Sequence, residues 1–158
     1  MDELSAADRQ LVEQAKQATA NSYANYSHFH VGAALRLADG SIQIGANQEN
    51  AAFSSGLCAE RSAIFAAQAM HPEHAITALA IAACNANGFT QEPVTPCGAC
   101  RQVILEMEDR YQSPVRIALR AAGGLLPGEC QGSDAPVVCR QEHAHVGCPC
   151  SSPSFQTV

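Results

Sequence analysis

An α/β domain, in which helices pack on a mixed sheet, is the fold class that the 158-residue sequence predicts. Three observations lead there. Segments with clear periodicity follow one another in the order α-β-β-α-β-α-β. Strands alternate with helices in the later part of that series, which implies a mixed sheet with right-handed crossovers. Finally, 47% of the residues are hydrophobic, enough to bury one core without disulfide staples.

The first helix opens at Ser5, a cap residue with Asp8 three positions on. Leu11, Val12, Ala15 and Ala18 then recur at helical spacing up to about Ala20. Phe29 to Leu37 and Ile42 to Ala46 are short apolar or alternating runs. Ala38-Asp39-Gly40-Ser41 between them carries turn chemistry, so the pair reads as a β-hairpin. Cys58 to Met70 is Ala-rich, free of Gly and Pro, and stopped by Pro72: a helix. Ala75 to Cys84, with Ile76, Leu79 and Ile81, suits a buried strand. Cys97 to Arg110 is helical by the spacing of Val103, Ile104 and Met107, with Pro96 just ahead, and Val115 to Leu119 is a further strand. Beyond Leu119, Gly123, Gly124, Pro127, Gly128, Gly132, Pro136, Gly147, Pro149 and Pro153 interrupt every candidate run, and a loosely ordered tail is expected over residues 121–158.

Charge and composition narrow the functional classes. The net charge is -6 and there is no Lys/Arg-rich run. The phosphate-neutralising surface that drives nucleic-acid binding is therefore missing from the sequence, and a small, non-polymeric partner is expected. Met1 to Gln10 has neither a signal-peptide layout nor an apolar run able to span a bilayer, so no membrane partner and a cytoplasmic location are expected. In a reducing compartment eight cysteines are more readily ligands, nucleophiles or small buried residues than a disulfide framework.

Spacing singles out three of them. Cys58-Ala59-Glu60 and Pro96-Cys97-Gly98-Ala99-Cys100 each stand at the predicted start of a helix. The unpaired amides and dipole of a helix N-terminus lower a thiol's pKa and prepare the sulfur for a metal. Cys97 and Cys100, three apart, share a helix face, and Cys58 joins from another helix. Three protein ligands leave a fourth position on zinc open, which marks a catalytic rather than a structural site. Glu60, two residues past Cys58, is placed to take a proton from zinc-bound water and deliver protons to a ring nitrogen and a leaving amine. Arg61 and Arg101, each next to a ligand cysteine, are the cations available to donate to the sulfurs and offset three negative charges.

This signature is the one described for zinc nucleobase deaminases. More closely, the chain resembles the small, homotetrameric cytidine deaminases. The likeness runs from about Tyr23 to Leu119 and rests on Tyr26-Ser27-His28-Phe29-His30-Val31-Gly32-Ala33-Ala34-Leu35, Asn47-Gln48-Glu49-Asn50, Cys58-Ala59-Glu60-Arg61 and Pro96-Cys97-Gly98-Ala99-Cys100-Arg101-Gln102. It implies a three-layer α/β/α sandwich with a mixed sheet of about five strands over residues 1–120, one zinc ion per subunit, and a homotetramer. The implied reaction is hydrolytic deamination of free cytidine or deoxycytidine in pyrimidine salvage. It also implies that Asn47 and Glu49 bind the ribose hydroxyls, that Phe29 flanks the pyrimidine, and that the Ala59 backbone contacts the base carbonyl. The chain departs from the family near its end. Leu125-Leu126-Pro127 follows Leu119 unusually soon, and Gly128-Glu129-Cys130 offers none of the aromatic character found there in the family.

Simpler readings stand beside these. Cys97 and Cys100 alone would suit thiol–disulfide exchange, and it is Cys58 with Glu60 that argues otherwise. Phe29 next to an apolar strand could belong to the core, and Cys84 is most simply a small apolar residue. Cys139, His143, His145, Cys148 and Cys150 offer metal-binding groups in a segment without elements to hold geometry, so adventitious binding is expected there. Two other functions keep the zinc signature: deamination of a cytosine-nucleoside antibiotic, and a non-catalytic zinc-binding module.

Overall fold

The structure is a computed structural model that describes residues 5–121 and 124–129. Helix α1 (Ala6–Ala18) starts where Ser5 Oγ accepts the Asp8 amide at 3.1 Å, and its Leu11, Val12, Ala15 and Ala18 are all buried. A 3-10 turn (Thr19–Asn21) leads toward strand β1 (His30–Leu37), which turns through Gly40 at φ 87° into β2 (Ile42–Ala46). A second 3-10 turn (Phe53–Ser55) precedes α2 (Ala59–Met70). Then come β3 (Ile76–Asn85), a two-residue strand β4 (Gly88–Phe89), α3 (Gly98–Tyr111), β5 (Arg116–Ala121) and β6 (Gly124–Glu129).

The strands form one mixed sheet in the order β2-β1-β3-β5-β6, with β4 paired to β3. β1 is antiparallel to both neighbours, and β3 and β5 are parallel, joined by α3 as a crossover. Side chains alternate along β1: Ala33, Leu35 and Leu37 point to one face, and Ala34 to the other. The first face packs Leu79, Ile81 and Ile117 against Ala63, Ile64 and Ala67 of α2 and Ile104 and Met107 of α3. The second packs α1 onto Ala34, Ala78, Ala80, Ala82 and Ala118. One helix on one face and two on the other make the three-layer sandwich that the sequence implied.

Two glycines set how closely helices and sheet meet. A Cβ at Gly32 would lie 2.1 Å from the Ala15 carbonyl oxygen, and one at Gly45 would lie 2.4 Å from the Ala63 nitrogen and 2.6 Å from the Ala59 oxygen. Only hydrogen fits there, so β2 can press against the first turn of α2. The α1 face is also pinned by charge. Asp8 is only 3% exposed, and its Oδ1 accepts Arg116 Nη2 at 2.5 Å and faces Arg36 Nη1 at 3.7 Å, while Ser5 Oγ donates to Oδ2 at 2.7 Å. Arg36 also donates to the Ala7 carbonyl, so strands β1 and β5 hold the first turn of α1 from two sides.

The sheet runs further than the sequence suggested. The domain limit expected at residue 120 falls inside a hairpin, because β6 pairs antiparallel with β5 from Ala121↔Gly124 to Arg116↔Glu129. Glycine and proline had argued against a strand there. An outermost strand tolerates both, since one of its edges needs no donors. The remaining tail, including the cysteine and histidine group at 139–150, lies outside the described residues.

Candidate metal centre and active site

Two helix N-termini converge on one point. Cys58 and Cys97 are the cap residues of α2 and α3, both extended at ψ 155° and 167°, and their carbonyls accept the first helical bonds from Ser62 at 3.0 Å and Arg101 at 2.9 Å. Neither side chain caps its own helix, so both sulfurs are left for another partner at a site of positive helix dipole. Cys100, buried in the first turn of α3, completes the group. Cys58 Sγ lies 3.8 Å from Cys97 Sγ, and Cys97 Sγ lies 3.5 Å from Cys100 Sγ. All three sulfurs fall within 4.8 Å of one another, and this is the single such group among the described residues. Thiolates about 2.3 Å from a tetrahedral zinc would stand about 3.8 Å apart, so these donors and separations fit one Zn2+ with three protein ligands.

Cys58 and Cys100 differ in their affinity for protons. Hydrogen bonds from Cys100 and then from Arg61 bring the Cys58 thiol down to about 5. Cys100, which donates to Cys58 and is buried, is pushed up and keeps its proton. Arg61 Nη2 reaches Cys58 Sγ at 3.5 Å, and that bond holds its guanidinium more firmly protonated than an ordinary arginine. Arg61 Nε is buried with no hydrogen-bond partner among the described residues. Arg101 behaves differently from the expectation that both arginines turn to sulfur: its Nε donates to the Pro96 carbonyl at 2.9 Å and braces the turn that presents Cys97. Glu60 is only 5% exposed, and burial, reinforced by the charge on Cys58, raises its carboxyl above the usual carboxylate value.

The other residues singled out by the sequence, Asn47, Glu49 and Phe29, lie on loops. Asn47, just past β2, uses its carboxamide twice: Oδ1 accepts the Val31 amide at 2.8 Å, and Nδ2 donates to the Phe29 carbonyl at 2.9 Å. Glu49 Oε2 accepts the amides of Tyr26 at 2.8 Å and Ser27 at 3.3 Å, and bonding to Ser27 and Tyr26 holds its carboxyl below the usual range. Ser27 Oγ in turn accepts the Phe29 amide at 3.1 Å, and His28 between them adopts a left-handed φ of 53°. Phe29 itself is half-buried, and Ala59, at the start of α2, is fully buried. Segment 26–31 is thus fastened to 47–49 largely by side chains, whereas 47–49 is also held by backbone bonds to Tyr23, Val31 and Leu57.

Sequence reasoning missed Ser27, Gly45 and the bracing role of Arg101. An isolated glycine within a strand pattern is a signal of close backbone approach, so Gly45 could have been found. Ser27 carries no such mark, because its bond depends on the left-handed turn at His28.

A cluster of three thiols at two helix ends, with one coordination position to spare and a buried carboxyl beside it, defines a hydrolytic type of zinc centre. Comparison with known proteins narrows this. The family described as "Cytidine and deoxycytidylate deaminase zinc-binding region" matches residues 5–112. A cytidine deaminase of Halalkalibacterium halodurans is 46% identical over 101 residues, covering 63% of this chain and 72% of that protein. One of Mycobacterium tuberculosis is 38% identical over 125 residues, covering 77% and 88%. The crystal structure of cytidine deaminase from Burkholderia pseudomallei superposes with a TM-score of 0.67 at 36% identity, over 77% of this chain and 91% of that one. The chain belongs to the zinc-dependent cytidine and deoxycytidylate deaminase family.

Proposed function

We propose that this protein hydrolyses the 4-amino group of free cytidine and deoxycytidine, releasing ammonia and leaving uridine or deoxyuridine. The observation that carries the reading is the placement of a buried carboxyl, Glu60, on the helix turn that also presents Cys58 to Cys97 and Cys100. Cys58, Cys97 and Cys100 hold the zinc ion, which when bound supplies a Lewis acid that makes water a nucleophile near neutral pH. Glu60 accepts a proton from the attacking water and passes it to ring nitrogen N3. It then takes the proton of the new C4 hydroxyl and gives one to the amine as the C4–N bond breaks. Its raised affinity for protons suits it to both halves of that relay. Arg61 offsets the charge of the thiolates through Cys58, and Arg101 holds the Pro96 turn.

Asn47 and Glu49 face the sugar, Phe29 lies against the pyrimidine, and the Ala59 backbone meets the base carbonyl. A nucleoside rather than a nucleic acid is supported by the net charge of -6. Pyrimidine salvage in the cytoplasm is the matching role; no described helix is long and apolar enough to cross a membrane. Residues 1–120, extended by β6, form the deaminase domain, and the segment beyond is a divergent tail. The working form is a homotetramer, a reading supported by large apolar side chains left outside: Phe53 is 92% exposed, Met70 65% and Phe65 47%. The test is conversion of cytidine to uridine by zinc-loaded full-length protein, followed by ultraviolet absorbance, with Glu60→Ala alongside. Turnover that the variant loses supports the reading. Zinc-loaded protein without turnover on cytidine or deoxycytidine overturns it.

A further inference from the structure

The ladder between β1 and β2 ends at Gly32↔Ala46. One residue later the backbone amide of Asn47 still donates to the Val31 carbonyl at 3.1 Å, and there the Asn47 side chain takes over. Its carboxamide binds the N–H of Val31 and the C=O of Phe29 at once, as a peptide unit of a neighbouring strand would. The side chain therefore continues the sheet by two bonds at the point where the main chain leaves it. Phe29 follows His28, whose left-handed backbone makes this turn unfavourable for a free chain. With one amide hydrogen committed to the Phe29 carbonyl and one carbonyl lone pair to the Val31 amide, half of the hydrogen-bonding capacity of Asn47 serves the Phe29–Val31 backbone before any ligand arrives.

We propose that Asn47 is a positioning residue for Phe29: its main contribution to turnover is to fix the Phe29–Val31 backbone, and contact with the sugar hydroxyls is the smaller part. The inference rests on Phe29 lying against the pyrimidine in the reading above. It predicts that removing the carboxamide weakens catalysis even for a substrate with no hydroxyls to bind. A displaced contact of this kind is worth up to about a hundredfold in kcat/KM.

Two measurements decide it. First, kcat/KM is compared for wild type, Asn47→Ala, Phe29→Ala and the double variant, on cytidine and on 2′,3′-dideoxycytidine, with zinc content held equal. The proposal expects most of the Asn47→Ala loss to persist on the dideoxynucleoside. On the dideoxynucleoside it also expects the double variant to be no worse than Phe29→Ala, since there both remove one contact. A loss that disappears on the dideoxynucleoside, or multiplies there with that of Phe29→Ala, overturns it. Second, hydrogen exchange is followed at the Val31 amide. Asn47→Ala should release its protection, and Asn47→Asp, which keeps the acceptor, should restore it, with the Gly32–Ala46 ladder intact in both. Unchanged protection at Val31 in Asn47→Ala overturns the clasp whatever the enzyme does. Absence of wild-type turnover would count against the deaminase reading and leave this second measurement standing.

Discussion

The two halves of the candidate site are held by different forces. The thiol half is seated on helix ends at the margin of the core: Ala59, Glu60 and Cys100 are buried, Cys58 is half-buried and Cys97 exposed, and α2 is pressed onto β2 through Gly45. The loop half is more open and depends on hydrogen bonds from Asn47, Glu49 and Ser27 to the backbone of residues 26–31. A buried carboxyl and clustered thiols need a dry, fixed setting to keep their unusual proton affinities. Loops that admit a substrate need bonds that can be exchanged with it or with water. The difference teaches that damage to the first half should remove chemistry, and damage to the second should chiefly alter binding.

That contrast can be broken experimentally, starting with its strongest claim. Cys100→Ala should lose stoichiometric zinc and all measurable turnover, whereas Glu60→Ala should keep zinc and lose turnover by about a thousandfold or more; metal analysis beside kinetics separates the two. Equal zinc and near-normal rates in Cys100→Ala would mean the sulfur is not a ligand. Arg61→Ala should lower activity or zinc affinity about 10–100-fold, read as faster zinc loss to a chelator. In the loop half, Glu49→Gln should raise KM about tenfold with little change in kcat. Because hydrogen bonds hold the Glu49 carboxyl below the ordinary range, wild-type KM should not show its titration between pH 5 and 8. A kcat defect as large as the KM defect would merge the two halves.

The smallest expected effect concerns stability. The Glu60 carboxyl titrates higher in the folded zinc-free protein than its ordinary 4.5. The unfolded chain therefore ionises first as pH rises. Folding is penalised progressively from the unfolded pKa up to the folded one, and fully above it. Zinc-free Glu60→Gln escapes that penalty. It should melt above zinc-free wild type at pH 7 and together with it near pH 3, by calorimetry. A variant that melts lower at pH 7 would show that the carboxylate is stabilised where it sits.

How much of this could be read in the sequence follows the same division. Cys58, Glu60, Cys97 and Cys100 were legible because each owes its position to a helix start, which local spacing announces. The helices and strands agreed with their patterns for the same reason, down to the Ser5 cap. The bonds of Asn47 and Glu49 to residues 26–31 span 16 to 23 positions through irregular backbone, and no local pattern encodes them. Resemblance picked out Asn47 and Glu49 without showing that both are tied to the chain itself. Strand β6 was hidden because its glycines and proline carry opposite meanings at the edge and in the middle of a sheet.

The separation of the thiols along the chain has a consequence for assembly. Cys58 and Cys97 are 39 residues apart, so an ion that joins them closes a loop of that length. In the unfolded chain such a cross-link removes freedom worth about 4 kcal/mol, the scale of a native disulfide. Of these three ligands an unfolded polypeptide holds only Cys97 and Cys100 close together, and the complete trio exists only once both helices have docked on the sheet. Loading with zinc should therefore lag behind folding and then act as a lock, slowing the reverse journey of a domain that contains no disulfide among its described cysteines.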